Sequence, residues 1–430
     1  MPRYKIVLEA GGPLLLGDSL PVGNVQRSRP FVAGSVLRGS LAKAILSPLG
    51  LWRHSGRSVK DAPMPEAFRQ VFLLEEGAFG FLYPVRQNWQ KAKEVDAFPL
   101  PLTAQTCKSH KGFKSARGHG VFDRLLHALR REAGRMSDWL MGCPEVGCGE
   151  RLERLRGYGV REKADDRGTY EQTKIGVRTF VRVGLNRLTE TAEERILYTL
   201  EALVPGSGGG NDKKDGGQSL CFVGHWRMAE DPWQALMELL AVNLPAEDGC
   251  YSLCIGTARS RGMGRVRLHL LSEPSFRSPL KERLEAFQLV DKAGQWLDAE
   301  HVYFALTLRS PLLLFDTQGR PTTDVTPELL ENYVGDVPGD LESLRRASVI
   351  EQETWSGWSA AWGLPKPVTP AIAAGSVLAF RAPQKVRTEV ETFLGRVEEE
   401  GLGERRAEGW GEVVACDPFH IVFDPMGGEK

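Results

Sequence analysis

Apolar residues recur along this chain in two spacings that alternate. YKIVLEA (4–10) and VYFALTLRS (302–310) are apolar runs of strand length, and each flows into the same PLLL exit, at 13–16 and 311–314. GSVLRGSLAKAIL (34–46) instead returns every third or fourth residue, at Leu37, Leu41, Ala42 and Ile45, and predicts a helix capped by Ser35. DPWQALMELLAV predicts another, with Asp231 as cap, Pro232 in the first helical position and apolar residues at 236, 239, 240 and 242. VRTEVETFLGRVEEE has the same period at 386, 390, 393, 394 and 397. After each of these last two helices comes a glycine-rich stretch and then a short apolar strand: GTARSRGMGRVRL (256–268) and GLGERRAEGWGEVV (401–414).

The pattern is duplicated. Gly403, Gly409 and Gly411 fall on the same offsets as Gly256, Gly262 and Gly264, and AIAAGSVLAF (371–380) matches FVAGSVLRG (31–39). Unequal separations between the matched motifs mean that the copies differ by insertions and keep one motif order. Strand, helix, strand pair, helix, glycine loop, strand predicts an α+β chain of two tandem ferredoxin-like (RRM-like) domains. The first covers 1–275, with a long insertion at about 50–175, and the second covers 300–430. GSVLRGS does not qualify as a nucleotide-binding P-loop, because no Lys follows Gly39. TKIGVRTFVRVGLNRLTETAEERILYTLEALV reads as a hairpin with Lys174, Arg178, Arg182, Asn186 and Arg187 on or beside its first arm. Such an arm suits either a strand of RNA or a sheet edge protected by charge. PGSGGGNDKKDGGQS (205–219) has the composition of a flexible linker.

Charge narrows the chemistry. Lys plus Arg and Asp plus Glu number 55 each over 430 residues, so any nucleic-acid contact has to come from local arginine patches. No apolar run reaches membrane-spanning length and no secretory pattern opens the chain, which predicts a cytoplasmic protein without a membrane partner. Glycines let the backbone turn through positive φ and leave main-chain amides open to an anion. With Arg259, Arg261 and Arg265 in the first loop and Arg405 and Arg406 in the second, they describe a seat for phosphates. Trp410, and Met263 at the matching place, are the candidate base-stacking positions; Trp355, Trp358 and Trp362 suit stacking or a core.

Seven cysteines are an odd number in a long chain and favour thiols or a metal over a disulfide framework. The insertion carries Cys107, His110, His119, Cys143 and Cys148. Cys107, His119, Cys143 and Cys148 make a candidate tetrahedral Zn2+ site, with His110 able to replace His119; the other reading is unlinked surface residues. CYSLC (250–254) places Cys250 and Cys254 on one strand face, read as core.

AGSVLRGSLA, the basic hairpin, IGTARSRGMGRV and GLGERRAEGWGEV together resemble the RAMP superfamily of CRISPR proteins. The paired glycine loops are similar to the Cas-five group, and the Cys/His insertion is similar to that group's large subunit in type III-D effector complexes. The resemblance implies a non-catalytic subunit that holds the repeat-derived 5′ tag of CRISPR RNA and caps the backbone filament. Its implied partners are the large polymerase-type subunit and the adjacent backbone RAMP subunit. Carried over, the RNA-binding residues are Gly256, Arg259, Arg261, Gly262, Gly264 and Arg265, with Gly403, Arg405, Arg406, Gly409, Trp410 and Gly411. The hairpin positions Lys174, Arg178, Arg182, Asn186 and Arg187, and Ser35 and Arg38 from AGSVLRGSLA, complete the set. Related RAMP proteins are metal-independent endoribonucleases, and His110, His119 or Tyr170 would be the acid–base residues of that alternative. A scaffold without RNA contact is the third reading.

Overall fold

The first half runs β1 (Arg3–Ala10), α1 (Gly34–Leu46), α2 (Glu66–Phe72), β2 (Leu82–Arg86), β3 (Ala104–Cys107), α3 (Leu125–Glu132), β4 (Val177–Leu185), β5 (Ala192–Leu203), β6 (Leu220–Met228), α4 (Glu230–Asn243), β7 (Cys250–Cys254) and β8 (Arg265–Pro274). The second runs β9 (His301–Leu308), α5 (Pro327–Val334), β10 (Glu342–Ser343), β11 (Gln352–Ser359), β12 (Leu364–Ile372), β13 (Val377–Pro383), α6 (Arg387–Glu400), β14 (Val413–Ala415) and α7 (Pro418–Val422). This computed structural model describes all residues but 18–23, 53–62, 75, 116–117, 135–141, 163–168, 186–188, 190, 206–218, 245, 275–277, 289–297, 360–362 and 426–430.

Two antiparallel sheets are built alike. In the first, β1 pairs with β8 on one side and β6 on the other, with β2 beyond β6; Leu8 stands opposite both Leu268 and Phe222. In the second, β9 pairs with β14 and β13, with β10 beyond β13. Each half therefore has its first strand in the middle, its last strand on one side and its third on the other. A two-stranded hairpin, β4–β5 or β11–β12, enters each half between the second and third strands of its sheet. The second hairpin has no readable likeness to the first in sequence.

One sequence correspondence does not survive. AGSVL begins α1 at 33–37 but is a turn into β13 at 374–378. By its pairing, β13 is the counterpart of β6, so the shared five residues take two conformations according to what each must pack against. The helix caps also shift. Ala33 precedes α1 and Ser35 lies inside it, while α4 begins at Glu230 with Ala229 before it. Val242 lies on the solvent face of α4, whose buried side is Pro232, Trp233, Ala235, Leu236, Leu239 and Leu240.

Each sheet covers its own core. Leu37, Leu41 and Ile45 of α1 meet Leu236 and Leu240 of α4 and Trp226 of β6. Phe304, Phe380, Phe393, Leu394 and Val397 fill the second core. The span from 50 to 175 is not a separate body. Phe68, Val71 and Phe72 of α2 enter the first core, β2 completes the first sheet, and Leu125, Leu126 and Leu129 of α3 enter the second core. Buried His420 links insertion and second half, with Nδ1 3.0 Å from Asp123 Oδ1 and Nε2 2.8 Å from the Thr307 hydroxyl. Among the described residues no helix is long and apolar enough to cross a membrane.

Candidate nucleic-acid interface and metal-donor cluster

The two glycine loops are conformational copies. Gly256, Ala258, Gly262 and Gly264 have positive φ, as do Gly403, Arg405, Gly409 and Gly411 at the same offsets, and each loop contains one short 3-10 turn. Five amides in each make the same bonds. Thr257 N donates to Leu15 O and Gly264 N to Pro13 O, both at 2.9 Å; Glu404 N donates to Leu313 O at 2.9 Å and Gly411 N to Pro311 O at 2.8 Å. Ile255 N to Gly264 O and Leu402 N to Gly411 O close the necks, and the inner pairs repeat as well. The PLLL exits are thus the surfaces on which the loops are folded. The amides of Thr257, Arg261, Gly262 and Gly264, and of Glu404, Glu408, Gly409 and Gly411, are engaged within the fold and so are not offered to an anion.

In the first copy the arginines face solvent. Arg259, Arg261 and Arg265 are exposed, while Met263, 3% exposed, packs among Leu15, Leu200 and Ala202 with Phe180 and Tyr198 beside it. Met263 is therefore the pin that fastens the loop to hairpin β4–β5, not a stacking surface. Across that pin the Arg261 guanidinium lies 5.3 Å from the Tyr198 ring centroid. Arg178 and Arg182 flank Phe180 on β4 at 5.5 and 6.0 Å, and Arg182 stands opposite Tyr198. Loop and hairpin thus form one cationic surface with two aromatic rings in it. Lys174 is exposed just before β4, whereas Asn186 and Arg187 lie outside the described residues. Tyr198 escaped the sequence reading because, within ILYTLEALV, it looks like one more apolar position.

The second copy is closed. Gly409 sits where a Cβ would be 2.2 Å from Phe79 O, Phe79 N donates to Ala407 O at 3.1 Å, and Gly34 at the start of α1 leaves space for Glu408 O. Trp410, 1% exposed, packs edge-on to Trp355 at 4.8 Å and against Phe81. It is core, and so are Gly403, Gly409 and Gly411. Arg405 covers the Trp410 ring at 4.6 Å and pairs with Glu408; Arg406 donates to Gly403 O at 2.9 Å and Tyr333 O at 2.6 Å. Burial would raise the Glu408 carboxyl, but Arg405 and Lys366 hold it below the usual carboxylate range. Ser35 and Arg38 are half-buried on α1, with Arg38 Nη2 donating to Phe72 O of α2 at 2.5 Å.

The insertion gathers five metal-type donors. Donor atoms of Cys107, His110, His119 and Cys148 all lie within 4.8 Å of one another, and Cys143 Sγ is 3.5 Å from His119 Nδ1. Cys107 and Cys148 sulfurs are 3.7 Å apart. A tetrahedral ion with sulfur at about 2.3 Å and nitrogen at about 2.0 Å sets edges of roughly 3.8 Å between sulfurs and 3.5 Å between sulfur and nitrogen. Cys107–Cys148 and Cys143–His119 have those edges. Cys107 Sγ to His110 Nδ1, at 4.0 Å, is longer. The two imidazoles are moreover stacked at 3.9 Å between centroids, 11° from parallel, whereas two on one tetrahedral ion stand about 5 Å apart. Cys107, His119 and Cys148 are common to both candidate sets; the mutually close group takes His110 as its fourth donor, whereas the ring stacking and the Cys143–His119 edge favour Cys143. Burial raises the Cys107 thiol, yet hydrogen bonds from His110, the Ser109 amide and Cys148 bring it down to about 7, toward the thiolate a metal requires.

Tyr170, the third acid–base candidate, is buried among Phe98, Phe419 and Phe423, with Phe113 of the His110–His119 loop stacked beside it. It lines a cleft where both halves and the insertion meet, crossed by Arg3–Glu412 at 2.7 Å and Arg309–Asp417. Cys250 is buried as expected, but Cys254 is exposed, since Tyr251 and Leu253 take the core side of β7.

A comparison with curated proteins finds no match. Among solved structures, a chain of the cryo-EM structure of the type III-B Cmr-beta bound to cognate target RNA and AMPPnP is 12% identical, with 87% of this chain and 86% of that one covered at a TM-score of 0.39. A chain of the same assembly bound to cognate target RNA is 13% identical, covering 90% and 89% at 0.38. A CRISPR-associated protein Cas6 is 10% identical, covering 96% and 98% at 0.28. The family model for the CRISPR-associated protein (Cas_Cmr3) matches residues 160–417, more than half of the chain, from just before the basic hairpin to just past the second glycine loop. The chain belongs to the Cas_Cmr3 family of CRISPR-associated proteins.

Proposed function

We propose that this chain is a non-catalytic RNA-binding subunit of a type III CRISPR effector complex in the cytoplasm. It holds the repeat-derived 5′ tag of CRISPR RNA on the first glycine loop and hairpin β4–β5, and caps the backbone filament between the large polymerase-type subunit and the neighbouring RAMP subunit. The observation that carries this reading is the continuity of Arg259, Arg261, Tyr198, Arg178 and Arg182 across the Met263 pin. Guanidinium groups grip phosphates without reading sequence, and rings offer stacking faces to unpaired bases. Both halves are ferredoxin-like domains in this proposal, since each sheet has the strand order of a split β-α-β unit. The Cys/His cluster holds one structural zinc, which fastens an insertion that has little core of its own.

Incubation with labelled repeat RNA tests the reading. Retention without cleavage is the expected outcome; cleavage products would make the chain an endoribonuclease, and absence of retention would leave a scaffold. Elemental analysis of the purified chain should give about one zinc per molecule, with C143S and H119A losing it and H110A keeping it. Retention of zinc by H119A alongside its loss from H110A would reverse the choice of imidazole.

A further inference from the structure

A short strand, Val25–Arg27, extends hairpin β4–β5 by lying parallel to β5 on the side away from β4. Its register puts Phe180, Leu200 and Gln26 in one row across the three strands, on the face that carries Tyr198 and that Met263 covers in part. Arg27, one residue on, turns to the reverse face and pairs with Glu201 at 3.3 Å. Gln26 is half-buried and reaches the first glycine loop, with Nε2 3.4 Å from the Thr257 hydroxyl oxygen. Thr257 has one hydroxyl proton and gives it to Leu15 O at 3.3 Å, so toward Gln26 its oxygen can only accept. That fixes the carboxamide. One N–H of Nε2 is committed to the loop, and Oε1 with the N–H beside it stays unclaimed; among the described residues no donor meets Gln26 Oε1.

The cations around this group have no means of reading sequence. Arg178, Arg182, Arg259 and Arg261 suit phosphates, and a ring face stacks on any base. An acceptor and a donor side by side in one plane are what matches a base edge. Strand spacing places the Gln26 Cα about 8 Å from that of Tyr198, within reach of a base stacked on the ring. Resting on the RNA reading above, we infer that Gln26 is the base-reading residue of this surface. Its Oε1 accepts from the amino group of an adenine and its free N–H donates to a ring nitrogen of the same base, as carboxamides pair with adenine in duplex grooves. The arginines and rings set affinity, and Gln26 sets preference. The second half has no counterpart: among the described residues hairpin β11–β12 is a two-stranded ribbon with no third strand beside it.

Binding of the full chain to single-stranded oligoadenylate and oligouridylate, each over a range of salt, tests the assignment. The unmodified chain should favour oligoadenylate, and Q26A should lower that preference by about fivefold or more, the low end of what one bidentate base contact discriminates. Stacking favours adenine in both proteins, so only the part of the preference that Q26A removes belongs to Gln26. Affinity for oligouridylate and the salt slope should not change, because no phosphate contact is lost. A strand of purine riboside, which lacks the amino group, should cost the unmodified chain the same factor and cost Q26A nothing. An unchanged preference in Q26A, or a purine riboside strand held as tightly as oligoadenylate, overturns base reading by Gln26 and leaves the RNA surface standing. A flatter salt slope in Q26A would make the residue a phosphate contact and overturns it as well. Failure of the unmodified chain to retain either strand overturns both readings.

Discussion

Gly262 and Gly409 occupy the same place in two copies of one loop, with φ of 83° and 82°, yet they have opposite surroundings. A Cβ on Gly262 meets nothing within 4 Å, and one on Gly409 lands 2.2 Å from Phe79 O and 2.8 Å from the Gly80 Cα. The same holds for the side chains. Met263 and Trp410 are both pins between loop and hairpin, but the first loop keeps its arginines in solvent while the second folds Arg405 and Arg406 back onto its own carbonyls, rings and Glu408. Even the hairpins diverge: the strand position of Phe180 is taken by Trp355, and Glu353 stands where Arg178 does. Duplication supplied one stable turn twice, and packing decided which copy became a surface and which became a seam.

The largest expected effect tests that division directly. G262A pays only for a left-handed Ala, about 1 kcal/mol. G409A adds a collision with two backbone segments that cannot retreat without separating the halves, for a loss of roughly 3 kcal/mol or more. Urea unfolding of both variants measures the difference, and equal losses would mean that the second loop is not clamped as described.

Much of this was legible beforehand. The strands at 4–10 and 302–310, the helices at 230–243 and 387–400, the matched loops and the cysteine–histidine cluster all follow from period and spacing, because those signals are local. The environment of a loop is not local. Gly262 and Gly409 are indistinguishable in sequence, and Trp410 reads as an odd aromatic in a flexible turn until Trp355 and Phe81 are placed around it. AGSVL misled for the same reason, since five residues do not specify helix or strand without their tertiary partners. Hairpin β11–β12 went unread because Pro365, Pro367 and Pro370 break the alternation expected of a strand; as a two-stranded ribbon with a free edge it tolerates them.

Next in size is the effect on RNA. Replacing Arg259 and Arg261 together by Ala should weaken retention at least tenfold, about 1.4 kcal/mol or more, with a flatter salt slope. R405A/R406A should keep wild-type RNA affinity in its folded fraction and lose stability instead. A pair of variants with equal RNA defects would return the second loop to the binding surface and dissolve the contrast.

The smallest effect comes from pH and, for His225, concerns the seam. His225 of β6 lies beside the cleft between the halves; burial first, and then the Arg3 charge, push its imidazole down to about 3, against the opposing pull of Asp96 and Glu412. A neutral imidazole is therefore favoured in the fold, whereas the unfolded chain takes up a proton near pH 6.5. Between those values the unfolded state binds more protons, so stability falls as pH drops below 6.5. From pH 7 to 5.5 the His225 share of the loss is about 1 kcal/mol, and H225N should remove that share while His127 and His269, also lowered by burial, keep theirs. Because Glu412 of the second loop bonds Arg3 across the same cleft, amide exchange at Gly409 and Gly411 should accelerate at pH 5.5, after correction for intrinsic rates, while Gly262 and Gly264 stay unchanged. Parallel acceleration in both loops would place the acid-sensitive contact in the whole chain and not in the seam, and the two copies would then differ in exposure without differing in what holds them.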